Sequence, residues 1–307
     1  MSKKTTATIL LIVLGAVWGS SFFFMKLGMM PRPGVTAFSH IQVAGMRMLI
    51  AALILLPFSM PKFRLLFGPL GPYFLIVGLC GNFVPSFLFT YANTALSGGI
   101  SGILNSMTPI FTVLIAVLLF KTKIHVLQIL GILISTVGVI FLLSSGAEVS
   151  SNVQWSHIAA VIFATLLYGI SVNTIKNKLS EVSPMLVTSL GLLSVLPLAA
   201  GSFFLERSAD VFLKNPYGWE AFLYVLILGG VGSALSNIYF NRLIKLTSAI
   251  FASSVTYLIP FFAVIFGSIR GESLSLGQFA SMIILLIGVF LVNFHDRLLG
   301  MSRNKTN

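Results

Sequence analysis

The chain has 307 residues; 19 are Lys or Arg and 7 are Asp or Glu, so charged types make up 8% and apolar types 57%, with a mean hydropathy of +1.01. An ordinary globular protein is roughly one quarter charged, and so few charges cannot coat a soluble surface of this size. The apolar content excludes a disordered chain and leaves an integral membrane protein. A net charge of +12 would suggest nucleic acid in a soluble protein. Here the Lys and Arg are spread singly and in pairs between apolar runs, with no basic helix face, so no nucleic-acid partner is expected. The single Cys80 lies inside an apolar run, which excludes a disulfide framework and a Cys-based metal site.

A spanning helix needs about 20 apolar residues. Windows of that size predict ten helices, over 7–27, 37–58, 70–90, 98–120, 126–144, 156–175, 184–204, 219–240, 248–269 and 276–294. The first follows Lys3 and Lys4 but is longer than a signal-peptide core and lacks a small-residue cleavage pattern, so it reads as a span. The runs are continuous rather than alternating, which excludes a β-barrel. With the N-terminus inside, thirteen basic residues fall on inner segments (Lys3, Lys4, Lys62, Arg64, Lys121, Lys123, Lys176, Lys178, Arg242, Lys245, Arg297, Arg303, Lys305) and four on outer ones (Arg32, Arg207, Lys214, Arg270). Lys26 and Arg47 lie within helices. The bias places both termini in the cytoplasm.

The two halves repeat. WGSSFFFMK (18–26) aligns with YGISVNTIK (168–176), matching Gly19 with Gly169, Ser21 with Ser171 and Lys26 with Lys176. TPIFTVLIA (108–116) aligns with IPFFAVIFG (259–267), matching Pro109 with Pro260, Phe111 with Phe262 and Val113 with Val264. Gln128 and Gln278 come next, then Gly138 and Gly288. Each half holds five predicted spans. An odd number inserts the second half upside down, which gives an all-α membrane protein of two inverted five-helix repeats, 1–147 and 148–307, with a site expected near the midplane between them.

On these segments, together with AGMRMLIAALILLP (44–57), ANTALSGGISGILNSMTPIFTVLIAVLLF (92–120) and IKLTSAIFASSVTYLIPFFAVIFGSIRGESLSLGQ (244–278), the chain resembles the EamA family of the drug/metabolite transporter superfamily over nearly its whole length. The resemblance implies a ten-helix carrier that exports metabolites, often amino acids, from the cytoplasm. One departure is visible: the Gly271-Glu272 pair that opens the last helix of the second repeat meets Lys121-Thr122-Lys123 in the first.

Polar side chains inside the spans mark the candidate site. Ser101, Asn105, Thr108 and Thr112 share one helix face, as do Asn82, Ser86 and Asn93. Ser253, Thr256 and Tyr257, and Ser233, Ser236 and Asn237, add to the set. The repeat pairs Asn105 with Thr256, Ser106 with Tyr257 and Ser86 with Asn237. Two readings stand: a cavity that hydrogen-bonds a polar solute, or helix-to-helix bonding of modest strength. Trp18 and Tyr168 lie deep at matched positions, either closing over a solute or packing as aromatic anchors. Arg47 falls near the bilayer centre, where a charge costs at least ~2.5–3.5 kcal/mol. It either meets a solute carboxylate or pins helix carbonyls. The expected solute-binding residues are Trp18, Ser21, Arg47, Asn82, Ser86, Asn105, Tyr168, Asn237, Thr256 and Tyr257, with Pro109 and Pro260 as hinges.

No carboxylate is expected at the midplane, and His40, His125, His157 and His295 fall near helix ends. A proton relay through the span has no carrier, so facilitated diffusion or exchange is expected. A membrane-embedded enzyme would need a dyad, a metal cluster or paired carboxylates, and none is present in the sequence pattern. No phosphate-binding loop suggests an ATP-driven pump. The reading is a carrier without cofactor or metal, as monomer or homodimer in the cell membrane, taking a small polar metabolite. The alternative solute is an anionic or phosphorylated metabolite held by Arg47 with Lys26 or Lys176.

Overall fold

A computed structural model describes residues 3–122, 126–144, 154–269, 271, 275–277, 279–284, 286–288 and 290–291. Among them are eight helices long and apolar enough to cross a membrane, plus two shorter apolar ones, Ile129–Gly138 and Phe279–Gly288. No β-strand occurs among these residues beyond an isolated bridge between Arg32 and Val35. The expected boundary at 147/148, His125, His295, Lys123, Arg270, Glu272 and Gln278 lie outside the described residues, as do all residues after 291.

Helix α1 (Lys3–Met29) is a single long span. α2 (His40–Ser59) opens on a capping box: Gln42 N–H donates to Ser39 Oγ at 3.1 Å and Ser39 N–H to Gln42 Oε1 at 2.8 Å. It closes into a 3₁₀ segment, Met60–Phe67. The third span is α3 (Gly71–Gly78), a π-helical turn (Leu79–Phe83) and α4 (Val84–Ala92). The fourth is broken into α5 (Gly98–Asn105) and α6 (Thr108–Phe120), and α7 (Val126–Ser144) comes after it. The second half repeats the plan: α8 (Trp155–Lys178), α9 (Pro184–Leu205), a short α10 (Ser208–Lys214), α11 (Gly218–Gly229), a π-helical turn (Gly230–Leu235) and α12 (Ser236–Leu246). Then come α13 (Ala249–Ser253), a 3₁₀ turn (Ser254–Tyr257) and α14 (Ile259–Ser268).

The local signals recur in register. Ser39 and Ser183 cap α2 and α9, and Ser97 and Ser248 cap α5 and α13, each hydroxyl accepting a backbone N–H of the first turn. Pro109 and Pro260 sit in the first turn of α6 and α14. A proline there forfeits no intrahelical bond, so neither kinks a continuous helix. Each marks where a broken span restarts.

The halves are interlocked. α1 packs on α14, and α8 on α6, in a reciprocal exchange. Gly19 and Gly169 make it possible. A Cβ on Gly19 would lie 2.9 Å from the Ile259 carbonyl oxygen and 3.0 Å from the Ala263 nitrogen, and one on Gly169 would lie 2.9 Å from the Phe111 carbonyl carbon. Without a hydrophobic driving force between helices in lipid, such close backbone approach supplies the packing. α2 lies against α9, α4 against α8, and α11 and α12 against α1. These contacts leave a hollow at the centre.

Candidate functional site

The central cavity is walled by both halves. It offers about 80 Å³ to the centres of water-sized spheres, several waters' worth at roughly 10–15 Å³ each. Nine of the ten expected residues line it: Trp18, Ser21, Arg47, Asn82, Ser86, Asn105, Tyr168, Asn237 and Thr256. Tyr257 does not. Its side chain is 5% exposed, and its hydroxyl is buried without a partner. The cause is local: residues 254–257 form a 3₁₀ turn, which rotates successive side chains by about 120°. Thr256 therefore faces the hollow and Tyr257 the packed wall.

The structure also divides the polar stripes. Asn93 Nδ2 donates to the Phe22 carbonyl at 2.9 Å, Thr112 Oγ1 to its own helix at Thr108 at 2.8 Å, and Ser106 Oγ to the Thr256 carbonyl at 3.1 Å. These bond helices or turns, away from the cavity lining. Ser171, Thr188, Ser233 and Asn241 line the cavity although the expected solute-binding set did not include them. Asn241 was detectable: it stands one turn beyond Asn237. It donates to Thr188 Oγ1 at 2.8 Å. Thr188 has no such stripe to reveal it.

The two π-helical turns shape the wall. Asn82 Nδ2 donates to the Val77 carbonyl at 3.1 Å and Ser233 Oγ to the Leu228 carbonyl at 3.2 Å, each reaching five residues back at matched positions of the repeat. The widened turn makes Gly232's carbonyl a shared acceptor. It takes the Trp18 indole N–H at 3.2 Å, the Ser236 hydroxyl at 2.7 Å and Arg47 Nη2 at 3.4 Å. Arg47 Nε donates to Ser233 Oγ at 2.6 Å. Across the hollow, Asn237 Nδ2 donates to Asn82 Oδ1 at 2.6 Å and joins the halves directly.

Aromatic pairs stand toward either end. Tyr168 stacks on Phe89 with centroids 5.9 Å apart at 22°, and Trp18 meets Phe240 edge-on at 5.0 Å and 63°. Phe89 lies toward the end where Tyr91 stacks on His157, and Phe240 toward the end where Lys176 meets α12. Lys176 Nζ donates to the carbonyls of Ile244 at 3.2 Å and Thr247 at 2.7 Å. It caps α12 and does not line the cavity. Lys26 is not a lining residue either. The alternative pairing of Arg47 with a lysine therefore has no counterpart in the cavity lining, and Lys176 is drawn instead to the exposed carbonyls of a helix end. Among the described residues no group of three or more His, Cys, Asp or Glu is placed to hold a metal.

Known proteins fit this picture. The model of the EamA-like transporter family matches twice, over residues 5–144 and 155–294. Protein PagO of Salmonella typhimurium is 26% identical over 99% of this chain and 98% of its own. The uncharacterized inner membrane transporter YedA of Escherichia coli K12 is 27% identical over 92% of this chain and 89% of its own. A probable amino-acid metabolite efflux pump of Salmonella typhimurium is 26% identical over 99% of both. A protein of known crystal structure superimposes with a TM-score of 0.65 at 15% identity, covering 96% of this chain and 99% of that one, a likeness of fold alone. With the family model spanning both halves, this membrane-spanning chain belongs to the EamA-like transporter family.

Proposed function

We propose that the protein carries a small polar metabolite, an amino acid or a related compound, outward across the inner membrane by alternating access of two inverted repeats. The observation that carries the reading is the lining of one central cavity by uncharged hydrogen-bonding side chains from both halves, Asn82, Ser86 and Asn105 from one and Asn237, Asn241 and Thr256 from the other. A solute held between halves is released to either side by their relative movement.

Three further features support it. The aromatic pairs Phe89–Tyr168 and Trp18–Phe240 join opposite halves at opposite ends of the cavity, as two gates need to. The breaks at Pro109 and Pro260 give each half a place to bend. The basic residues favour an inward placement of both termini. Outward flux is the direction named for one relative, the probable amino-acid metabolite efflux pump. Among the described residues the lining contains no Asp, Glu, His or Cys, so a carrier fits better than an enzyme.

Reconstitution tests the reading. Purified protein in liposomes is expected to exchange radiolabelled amino acids in counterflow, and Asn105→Ala to lose most of that flux with its melting temperature nearly unchanged. Flux by the wild type no greater than in empty liposomes, across amino acids, nucleosides and sugars, removes the carrier assignment. Unchanged flux by a folded Asn105→Ala removes that residue from the site.

A further inference from the structure

We infer that Arg47 is the carboxylate anchor of the cavity, so that the transported solutes are singly charged carboxylates, amino acids among them, held in one orientation. The inference rests on the carrier reading and narrows it to a substrate class.

A guanidinium stays charged and offers five N–H donors in a fixed fork. The protein claims two of them: Nε for Ser233 Oγ at 2.6 Å and Nη2 for the Gly232 carbonyl at 3.4 Å. Both acceptors are uncharged, and among the described residues no carboxylate lines the cavity. The ion pairs among the described residues, Arg32 with Glu220 and Lys214 with Asp210, involve other residues. Among the described lining residues the positive charge therefore has no counter-ion, and a buried ion without a partner is costly. A solute oxyanion supplies the missing charge. The two protein bonds hold the guanidinium plane on the π-helical turn and leave the other donors for a bidentate acceptor, the geometry in which arginine recognises carboxylate.

The same residues exclude other classes. A bare cation meets Arg47 with no opposing carboxylate in the lining. A phosphate dianion needs a second cation; Lys176 is spent on the Ile244 and Thr247 carbonyls, and Lys26 lies off the cavity. One positive charge matches one carboxylate. The repeat also breaks its symmetry here. Ser39 and Ser183 are matching caps, and the residue that stands to Ser183 as Arg47 stands to Ser39 is Gly191. With a cation on only one side, a solute binds by its carboxylate at α2 and presents its remaining groups to the amides and hydroxyls opposite.

The test compares matched solutes on the full-length protein in liposomes, in low-chloride buffer. The probes are L-leucine, L-phenylalanine and L-glutamine, the carboxamide of each, and the amine that each gives on decarboxylation. The wild type is expected to prefer acids over amides and amines by about tenfold or more, as expected of a charge-assisted bidentate contact. Arg47→Gln should abolish that preference, weakening the acids and no longer repelling the cationic amides and amines, an opposite movement of the two classes that a merely structural role would not produce. Arg47→Lys should recover part of the preference. Equal handling of acids and amides by the wild type overturns the inference and needs no variant to fold. So does an acid preference that survives in Arg47→Gln. A wild type that moves sugars or nucleosides but none of the acids overturns the anchor and leaves the carrier standing; no flux of any solute overturns both.

Discussion

Trp18 and Tyr168 occupy matched positions, yet their polar ends differ in partners. The Trp18 indole donates to Gly232 and to Ser236 Oγ at 3.0 Å, which anchors α1 to the π-helical turn, while its ring packs on Phe240. Trp18→Phe removes the donor and keeps an aromatic ring. The Gly232 carbonyl retains Ser236 and Arg47, so no buried acceptor is orphaned. The expected loss is about 1 kcal/mol, one net hydrogen bond, read as a small fall in melting temperature in detergent. Trp18→Ala also empties the space beside Phe240 and should cost about 3–5 kcal/mol. A Phe variant as unstable as the Ala variant would show that the hydrogen bond, and not ring packing, holds α1 in place. At this scale the sequence was informative where two signals coincided. Asn82, Ser86, Asn105 and Asn237 were both polar in an apolar run and matched or striped by the repeat. At Tyr257 the spacing is silent: the 3₁₀ turn over residues 254–257 leaves Thr256 in the lining and the Tyr257 hydroxyl in the packed wall.

Helices were legible as spans because lipid demands long apolar runs, and the predicted 98–120 agrees with the observed ends of α5 and α6. Their interruptions were not. The π-helical turns at Leu79–Phe83 and Gly230–Leu235 carry no apolar periodicity of their own; the side-chain bonds of Asn82 and Ser233 satisfy carbonyls five residues back. The prolines marked the breaks in the fourth and ninth spans, but as the openings of new segments. α10 was missed because a seven-residue helix between spans leaves no hydropathy signal. Helix–helix approach gives the clearest prediction at this scale. Gly19→Ala and Gly169→Ala put a methyl within about 3 Å of a neighbouring backbone, and overpacking of this kind costs about 1–3 kcal/mol. Gly201→Ala in α9 meets nothing within 4 Å and gains helix propensity of up to about 1 kcal/mol. Melting temperatures of the three variants should fall, fall and hold or rise. Equal behaviour of all three would deny that the interlocked packing of α1 on α14 and α8 on α6 is tight enough to matter.

At the scale of the whole protein, the interlock limits what can move. α1 is tied to the second half through Gly232 and α14, and α8 to the first through Thr112, whose carbonyl accepts from Asn173 Nδ2 at 2.8 Å. Each half therefore holds a helix of the other; on the proposed alternating-access reading, opening one end of the cavity parts one aromatic pair while the other closes. Among the described residues the cavity lining has no Asp, Glu or His, so an imposed pH gradient alone should drive no accumulation of solute in liposomes; uphill uptake under such a gradient would require a relay elsewhere. Alternation itself can be tested by locking. In a Cys80→Ser background, Phe89→Cys with Tyr168→Cys places thiols at one end, and Trp18→Cys with Phe240→Cys places them at the other. A short reversible bis-thiosulfonate cross-linker across either pair should stop flux, and reduction should restore it; a reporter Ser86→Cys in the cavity wall should then react with a membrane-impermeant thiol reagent only when that reagent is applied from the side of the free end. Two gates that act in turn predict opposite sidedness for the two locked forms. If both locked forms expose the cavity to the same side, or if a locked form still carries solute, the two pairs do not gate, and the cavity opens by a path that leaves both aromatic contacts intact.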